Sequence, residues 1–283
     1  MSRYRITFTT PLFSRGALET PEIRPPSIRG QLHWWFRALG GRYDDEKAVF
    51  GGVHQGATAS KVVLRVSDIA GETADFKTLP HKAGGMASPR KAFAPGTSFH
   101  LHVLTRLGGF STPQQQTQFQ RSLDAWLLLG TLGLRATRAA GSFTWSTDDG
   151  EGCNPATFDI YESRCREILH GAPLKFALLE TRYAAAEDAR RIVSDTLGGR
   201  DDAEGENDLA KLNHPLGKIS QGRKTSPLRF RIVSPGCGGH YIAAIWDDRD
   251  RVTGNRPGDL AGIVNLLKQR KPDLGIPLGK ILQ

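Results

Sequence analysis

The sequence predicts an α+β protein built from two βαββαβ units that carry long loop insertions. Three observations lead there. Short alternations of apolar and polar residues mark strands, and between them two longer stretches place apolar residues three and four apart, as helices do. After a polar Gly/Pro-rich segment at 148–156 the same pattern begins again. Strand, helix, two strands, helix, strand is the split βαβ order of ferredoxin-like, RRM-like domains, and 283 residues accommodate two of them. The expected division is 1–150 and 151–283.

Residues 3–8 put Tyr4, Ile6 and Phe8 on one face and Arg3, Arg5 and Thr7 on the other. Ser27 is positioned to cap a helix whose apolar stripe is Ile28, Leu32, Trp35, Phe36 and Leu39, ending at Gly40 and Gly41. Two strands follow, at 60–66 and 99–105. Thr112 and Pro113 open a second helix with Phe119, Leu123, Trp126 and Leu127 on one side. A glycine-punctuated segment, 130–142, leads into the strand SFTWS. In the second half, strands are expected at 174–179, 228–233 and 241–245 and helices near 185–197 and 260–268, with the last strand unassigned. Residues 198–226 read as a long charged loop.

With both helices of the first unit on one sheet face, the other face presents Arg3, Arg5, Lys61, Val63, Arg65, His100, His102 and Arg106. That set is basic. It lacks the stacking aromatics of an RNA-reading sheet, so the sheet itself is not the expected RNA platform.

The net charge of +9 is unevenly placed, since residues 1–145 hold 18 Lys and Arg against 9 Asp and Glu, while the remainder balances at 20 against 20. Arginine outnumbers lysine 26 to 12, which suits phosphate recognition better than simple solubilisation. No apolar run approaches the roughly 18 residues that would span a bilayer, and the N-terminus lacks a signal-peptide centre, so the expected location is cytoplasmic. Cys153, Cys165 and Cys237 match no metal or redox spacing and read as buried free thiols. No metal or cofactor is expected.

Three segments could carry function. The first is RPPSIRGQLHWWFRAL, from Arg24. Free amides in the first turn of the Ser27 helix would attract phosphate, and Arg29, His33 and Arg37 recur every four residues in a window, 24–42, without any acid. Gly30 inside that helix weakens it and would leave room for a backbone to approach. The second is GTLGLRATRAAGS, where Gly133 and Gly141 permit left-handed turns and Arg135, Arg138 and Ser142 offer charge and hydrogen bonds to a sugar-phosphate chain. The third, residues 77–98, contains no acid but has Lys77, His81, Lys82, Arg90 and Lys91, and reads equally as a basic arm or a plain loop. Lys61 adds to the same charge. No nucleophile elbow, HExxH motif or carboxylate pair is present. A ribonuclease acting without metal through His33 or His81 stays open, as does a structural adaptor that touches no RNA.

TPLFSRG at 10–16, RPPSIRGQLHWWFRAL at 24–39, VFGG at 49–52, ASKVVL at 59–64 and the glycine loop occur in an order that resembles the RAMP superfamily of CRISPR proteins, most closely its type III-B Cmr branch. In the second half RKTSPLRFRIV, 223–233, is similar to a later strand motif of the family. Thr131 and Ala139 stand where the family has glycine, and Thr137 where it has a third arginine. The resemblance implies two ferredoxin-like domains, and a position near the 3′ part of a guide RNA. It also implies capture of target single-stranded RNA alongside other Cmr subunits, with no catalysis by this chain. The alternative within the family is a guide-processing endoribonuclease.

Overall fold

The computed structural model describes residues 2–17, 20–53, 56–150, 152–198, 226–236, 238–249, 252 and 258–269. In chain order these form β1 (Ser2–Phe8), α1 (Pro25–Ala38), α2 (Tyr43–Phe50), β2 (Val62–Ala70), β3 (Thr73–Lys77), β4 (Pro89–Phe93), β5 (Ser98–Thr105), α3 (Pro113–Leu129) and β6 (Phe143–Thr147). The second half supplies α4 (Phe158–Leu169), β7 (Lys175–Tyr183), α5 (Ala186–Gly198), β8 (Leu228–Val233), β9 (His240–Trp246) and α6 (Gly258–Gln269). The protein is α+β, with antiparallel sheets. The expected loop at 198–226 and any strand beyond α6 lie outside the described residues.

The first sheet has the order β2-β5-β1-β6. Its register pairs Tyr4 with Leu101 and Ile6 with Phe99, so the period-two apolar set of each strand points the same way. Those residues are buried with the α1 stripe, Ile28, Leu32, Trp35 and Phe36, and with Phe119, Leu123 and Trp126 of α3. Both strands that end this first βαββ run are longer than expected. Strand β2 starts at Val62 rather than Ser60 and runs to Ala70 through a register shift between Ser67 and Ala70.

Four elements were not expected: α2, the strands β3 and β4, and α4. The eight-residue α2 places Asp44, Asp45 and Glu46 in its first turn, where the helix dipole favours acids, and buries Val49 and Phe50. Residues 73–93 form the β3–β4 hairpin, pairing Thr73 with Phe93 and Lys77 with Pro89, closed through a 3₁₀ turn at Gly84–Ala87. The acid-free stretch 77–98 thus holds the end of β3, the long turn that follows it, all of β4 and the passage to β5. The hairpin is held at its turn end, where the buried Arg190 of α5 donates to the Lys77 carbonyl at 2.8 Å and pairs with Glu187, while His81 Nδ1 lies 2.7 Å from Ser194 Oγ.

The second sheet has the order β7-β9-β8. One face, with Leu179, Phe230, Ile232, Ile242 and Ala244, packs on Val193 of α5 and on Leu260 and Ile263 of α6. On the other side Leu178, Ala243 and Ile245 join the same core as α1, α3 and the first sheet, together with Tyr161, Cys165 and Leu169 of α4.

Strand β8 joins the halves. Its alternate residues Arg229 and Arg231 face the first half, and Arg231 is 1% exposed. The Arg231 guanidinium donates to the carbonyls of Trp126, at 3.2 Å, Gly130, at 2.7 Å, and Phe143, and lies over the Phe143 ring. Helix α3 has no basic residue in its own last turn; the cation from the far strand adds a second donor to the Trp126 carbonyl, which the Gly130 amide already bonds, and caps the carbonyl of Gly130 just past the helix end. Burial lowers the Arg231 pKa from its ordinary value. Nearby, Tyr161 donates its hydroxyl to the Leu128 carbonyl. Cys165 is buried as expected and burial pushes its thiol up to about 12, whereas Cys153 is exposed, contrary to expectation, because it sits in a turn against β6. Cys237 is outside the described residues. Among the described residues no helix is long and apolar enough to cross a membrane.

Candidate nucleic-acid interface

Helix α1 begins two residues before the expected cap. Arg24 occupies the N-cap position, Pro25 and Pro26 fill the first turn, and Ser27 is inside the helix without a capping role. The reason is proline's fixed φ, which suits the first helical positions. Its consequence corrects the expected phosphate nest. Two of the first amides do not exist, and those of Ser27 and Ile28 both turn back to the Arg24 carbonyl, at 3.0 and 3.4 Å. Attraction for phosphate at this end must come from side chains. Arg24 is partly exposed and 3.9 Å from Glu22.

The arginine and histidine ladder on α1 is also not free of acid, because α2 folds back onto it. Glu46, 8% exposed at its side chain, sits 2.5 Å from His33 Nδ1 and 3.7 Å from Arg37 Nε. His33 additionally packs on the Phe50 ring at 4.3 Å. Arg29 donates to the Phe50 carbonyl at the end of α2, and burial together with the Arg106 charge lowers its pKa. Arg29 and His33 therefore clamp α2 to α1, while Arg37, with a side chain 60% exposed, keeps most of its surface for solvent or a ligand. Gly30 is exposed, and a Cβ built there meets nothing within 4 Å.

In the 130–142 loop the glycines at 133 and 141 serve the chain's own path. Gly133, at φ +86°, passes so close to Phe13 that a Cβ would lie 2.5 Å from its carbonyl oxygen, and one on Gly141, at φ +65°, would lie 2.0 Å from the Leu132 oxygen. Ser142 is fully buried. Its amide donates to Thr10 Oγ1 and its hydroxyl to the Ala139 carbonyl, and it accepts from the Ile232 amide at 3.0 Å. Gly133, Gly141 and Ser142 thus shape the loop from within. Arg135 adopts φ +61° and Ala139 φ +62°, the latter at a position where glycine is the family habit. The loop lies along β8, where the Phe230 amide donates to the Thr137 carbonyl and Arg138 bridges Phe230.

Arg90 and Lys91 are exposed on β4, with Asp75 opposite Lys91 in the hairpin register. Lys82 is half-buried near the hairpin turn. Lys61 precedes β2, its amide bonded to the Val49 carbonyl and its carbonyl to the Arg106 amide. The structure thus brings together Arg29, His33 and Arg37, and separately sets the glycine loop along β8 and, through Leu134 and Ala140 beside Phe76 and Ala92, against the hairpin.

Sequence reasoning missed Trp34 and Arg229. The Arg229 guanidinium lies 3.7 Å from the centre of the Trp34 ring, and burial pulls its pKa down to about 10, leaving it a cation at neutral pH. Alternating arginines in LRFR were the available signal. The open sheet face carries no aromatic stack, as expected, but its charge is mixed. The bulge in β2 holds Asp68 at φ +52° and 3.1 Å from Arg3, which also pairs with Asp148, while His100 lies 2.9 Å from Asp68. Among the described residues no cluster of three or more metal-ligating side chains occurs.

Residues 5–144 match the RAMP superfamily family model. The chain is similar to the CRISPR system Cmr subunit Cmr1-1 of Pyrococcus furiosus, 29% identical over 44% of this chain and 40% of that protein. It is also similar to Cmr1-2 of the same organism, 54% identical over 12% of this chain and 19% of that protein. The matches thus cover less than half the length of either relative. Among solved structures, the apo crystal structure of Cmr1 from Pyrococcus furiosus superimposes with a TM-score of 0.55 at 19% identity, covering 87% of each chain. A chain in the cryo-EM structure of the type III-B Cmr-beta complex bound to cognate target RNA and AMPPnP gives 0.60 at 12% identity, covering 94% of this chain and 99% of that one. These likenesses establish the fold. Through residues 5–144 the chain is similar to the RAMP superfamily, and it resembles the CRISPR system Cmr1 subunits.

Proposed function

We propose that this chain is an RNA-binding, non-catalytic subunit of a type III-B Cmr effector, placed near the 3′ part of the guide RNA and contributing to target RNA capture. The observation that carries the reading is the fold likeness along nearly the whole chain to a subunit of a target-RNA-bound Cmr complex, combined with an excess of nine positive charges confined to the first half. Two ferredoxin-like units, divided near residue 150, are part of the proposal. The order β2-β5-β1-β6 with α1 and α3 supports the first, and β7, α5, β8, β9, α6 supports the second. Arg24, Arg37, Arg135 and Arg138, with the hairpin's Arg90 and Lys91, are the proposed phosphate contacts, and the charge-balanced second half is proposed to dock on neighbouring subunits.

One observation favours the ribonuclease reading, namely the His33–Glu46 pair, since a carboxylate on Nδ1 orients an imidazole for general acid/base work. A reconstituted complex tests both. Omitting this chain should lower target-RNA retention, and ultraviolet crosslinks from it should fall in the 3′ part of the guide. Cleavage at saturating RNA should be unchanged by His33→Ala. A loss of the chemical step in that variant, with assembly and guide content intact, would overturn the non-catalytic assignment.

A further inference from the structure

The stack of Arg229 on Trp34 has no evident use within the fold. Arg229 is half-buried as a residue, and among the described residues its guanidinium makes neither an ion pair nor a side-chain hydrogen bond beyond its ring contact. An arginine lying flat on an aromatic ring keeps the donors at its edge available, and it is held without the rotamer freedom a surface lysine would have to surrender. Such a group is preorganised to fork onto a phosphate.

Its surroundings point the same way. Trp34 follows Gly30 by one helical turn on the same face, and a helical side chain leans toward the turn before its own. The exposed notch at Gly30 therefore adjoins the stack. Glycine in a helix interior costs about 1 kcal/mol relative to alanine, yet nothing in the chain crowds this one. Gly133 and Gly141 are each explained by a carbonyl within 2.5 Å of the missing Cβ; Gly30 has no such neighbour. Beside Arg229 along β8, Phe230 pairs with Arg138 of the glycine loop. The stack thus stands between α1 and that loop, at the junction of the two halves.

From this geometry we infer that Arg229, seated on Trp34, grips a backbone phosphate of single-stranded RNA whose sugar-phosphate chain lies in the Gly30 notch. The RNA path crosses from α1 to the second half, and β8 is part of the binding surface. This deepens the proposed function and rests on it. The contact is to phosphate, so it carries no preference for base sequence.

Full-length chain and a labelled single-stranded RNA, titrated by fluorescence anisotropy between 50 and 300 mM salt, test it. Arg229→Gln should weaken binding about tenfold, the loss of one charge-assisted contact. It should also flatten the plot of log affinity against log salt by about 0.7, the share of one phosphate on a single strand. Arg229→Lys should restore the slope while binding stays several-fold weaker, because lysine lacks the planar fork. Gly30→Ala should raise the melting temperature and lower RNA affinity together, a pairing that a merely structural glycine would not give. Unchanged affinity and slope in Arg229→Gln, with wild type binding RNA in a salt-dependent way, would overturn this contact and leave the broader function standing. A wild-type chain that binds no RNA, alone or in the assembled complex, would overturn both.

Discussion

Replacing Arg231 by methionine keeps much of the side-chain volume and removes every donor. The Gly130 and Phe143 carbonyls then lose their guanidinium donors in a site that is 1% exposed, and the Trp126 carbonyl keeps only the Gly130 amide. A hydrogen bond from a charged donor contributes about 1.5–3 kcal/mol, and a buried acceptor left alone costs about 1–3 kcal/mol. These figures do not add, because the variant also relieves the burial that already lowers the Arg231 pKa. Set against that relief, losing the donors of two to three such bonds leaves a net cost of about 3–5 kcal/mol. In a chain of this size each kcal/mol shifts the melting temperature by about 2–4 °C, so Arg231→Met should lower it by about 6–20 °C. Differential scanning calorimetry and urea unfolding of the full-length chain measure this. Arg229→Met, which loses a ring stack but no hydrogen bond, should cost about 1 kcal/mol and serves as the control. A loss below about 1 kcal/mol for Arg231→Met would refute the argument that this guanidinium closes the end of α3 and couples the halves.

Three further outcomes are expected. Gly133→Ala and Gly141→Ala force side chains into positive φ against carbonyl oxygens, so each should cost more than about 1 kcal/mol in denaturant titration. Wild-type stability in either would contradict the loop geometry. At pH 8 iodoacetamide should modify the exposed Cys153 in the folded chain, while Cys165, its thiol pushed up to about 12, should react only after unfolding; peptide mapping distinguishes them. Burial lowers the His240 pKa beside Ser234 Oγ, so the unfolded chain takes up that proton first as pH falls. Its contribution to stability is full above about pH 6.5 and is lost as pH drops toward the folded-state value. His240→Gln should flatten the stability curve between pH 5 and 7, and superimposable curves would exclude this source.

The core strands and the helices α1, α3, α5 and α6 were legible because burial imposes a period, whereas the twelve-residue α4 was not assigned. Tyr4, Ile6 and Phe8 face Leu101 and Phe99 as their alternation requires, and β8 spans the expected residues. Helix α2 was hidden by its length, since eight residues with two buried apolar positions show no period. The hairpin was hidden by its exposure, because strands that are mostly solvated need no apolar alternation. The binding segments were legible as composition but not as surface. A stretch without acid in the sequence acquires Glu46 from a neighbouring helix, and a serine in a glycine loop turns inward to bond Ala139 and Ile232. The pairings of His33 with Glu46, 13 residues apart, and of Ser142 with Ile232, 90 apart, depend on tertiary contact and leave no local trace. Trp34 and Arg229 belong to the same class.

The central claim is that the basic first half holds RNA through its phosphates. The most direct measurement is the affinity of the full-length chain for unrelated single-stranded RNAs of equal length, between 50 and 300 mM salt. Binding through several phosphates predicts affinities that agree within a few fold between sequences, with log affinity falling by about 0.7 per log unit of salt for each phosphate neutralised. Affinity that does not change with salt, or one RNA sequence preferred strongly over the others, would contradict it.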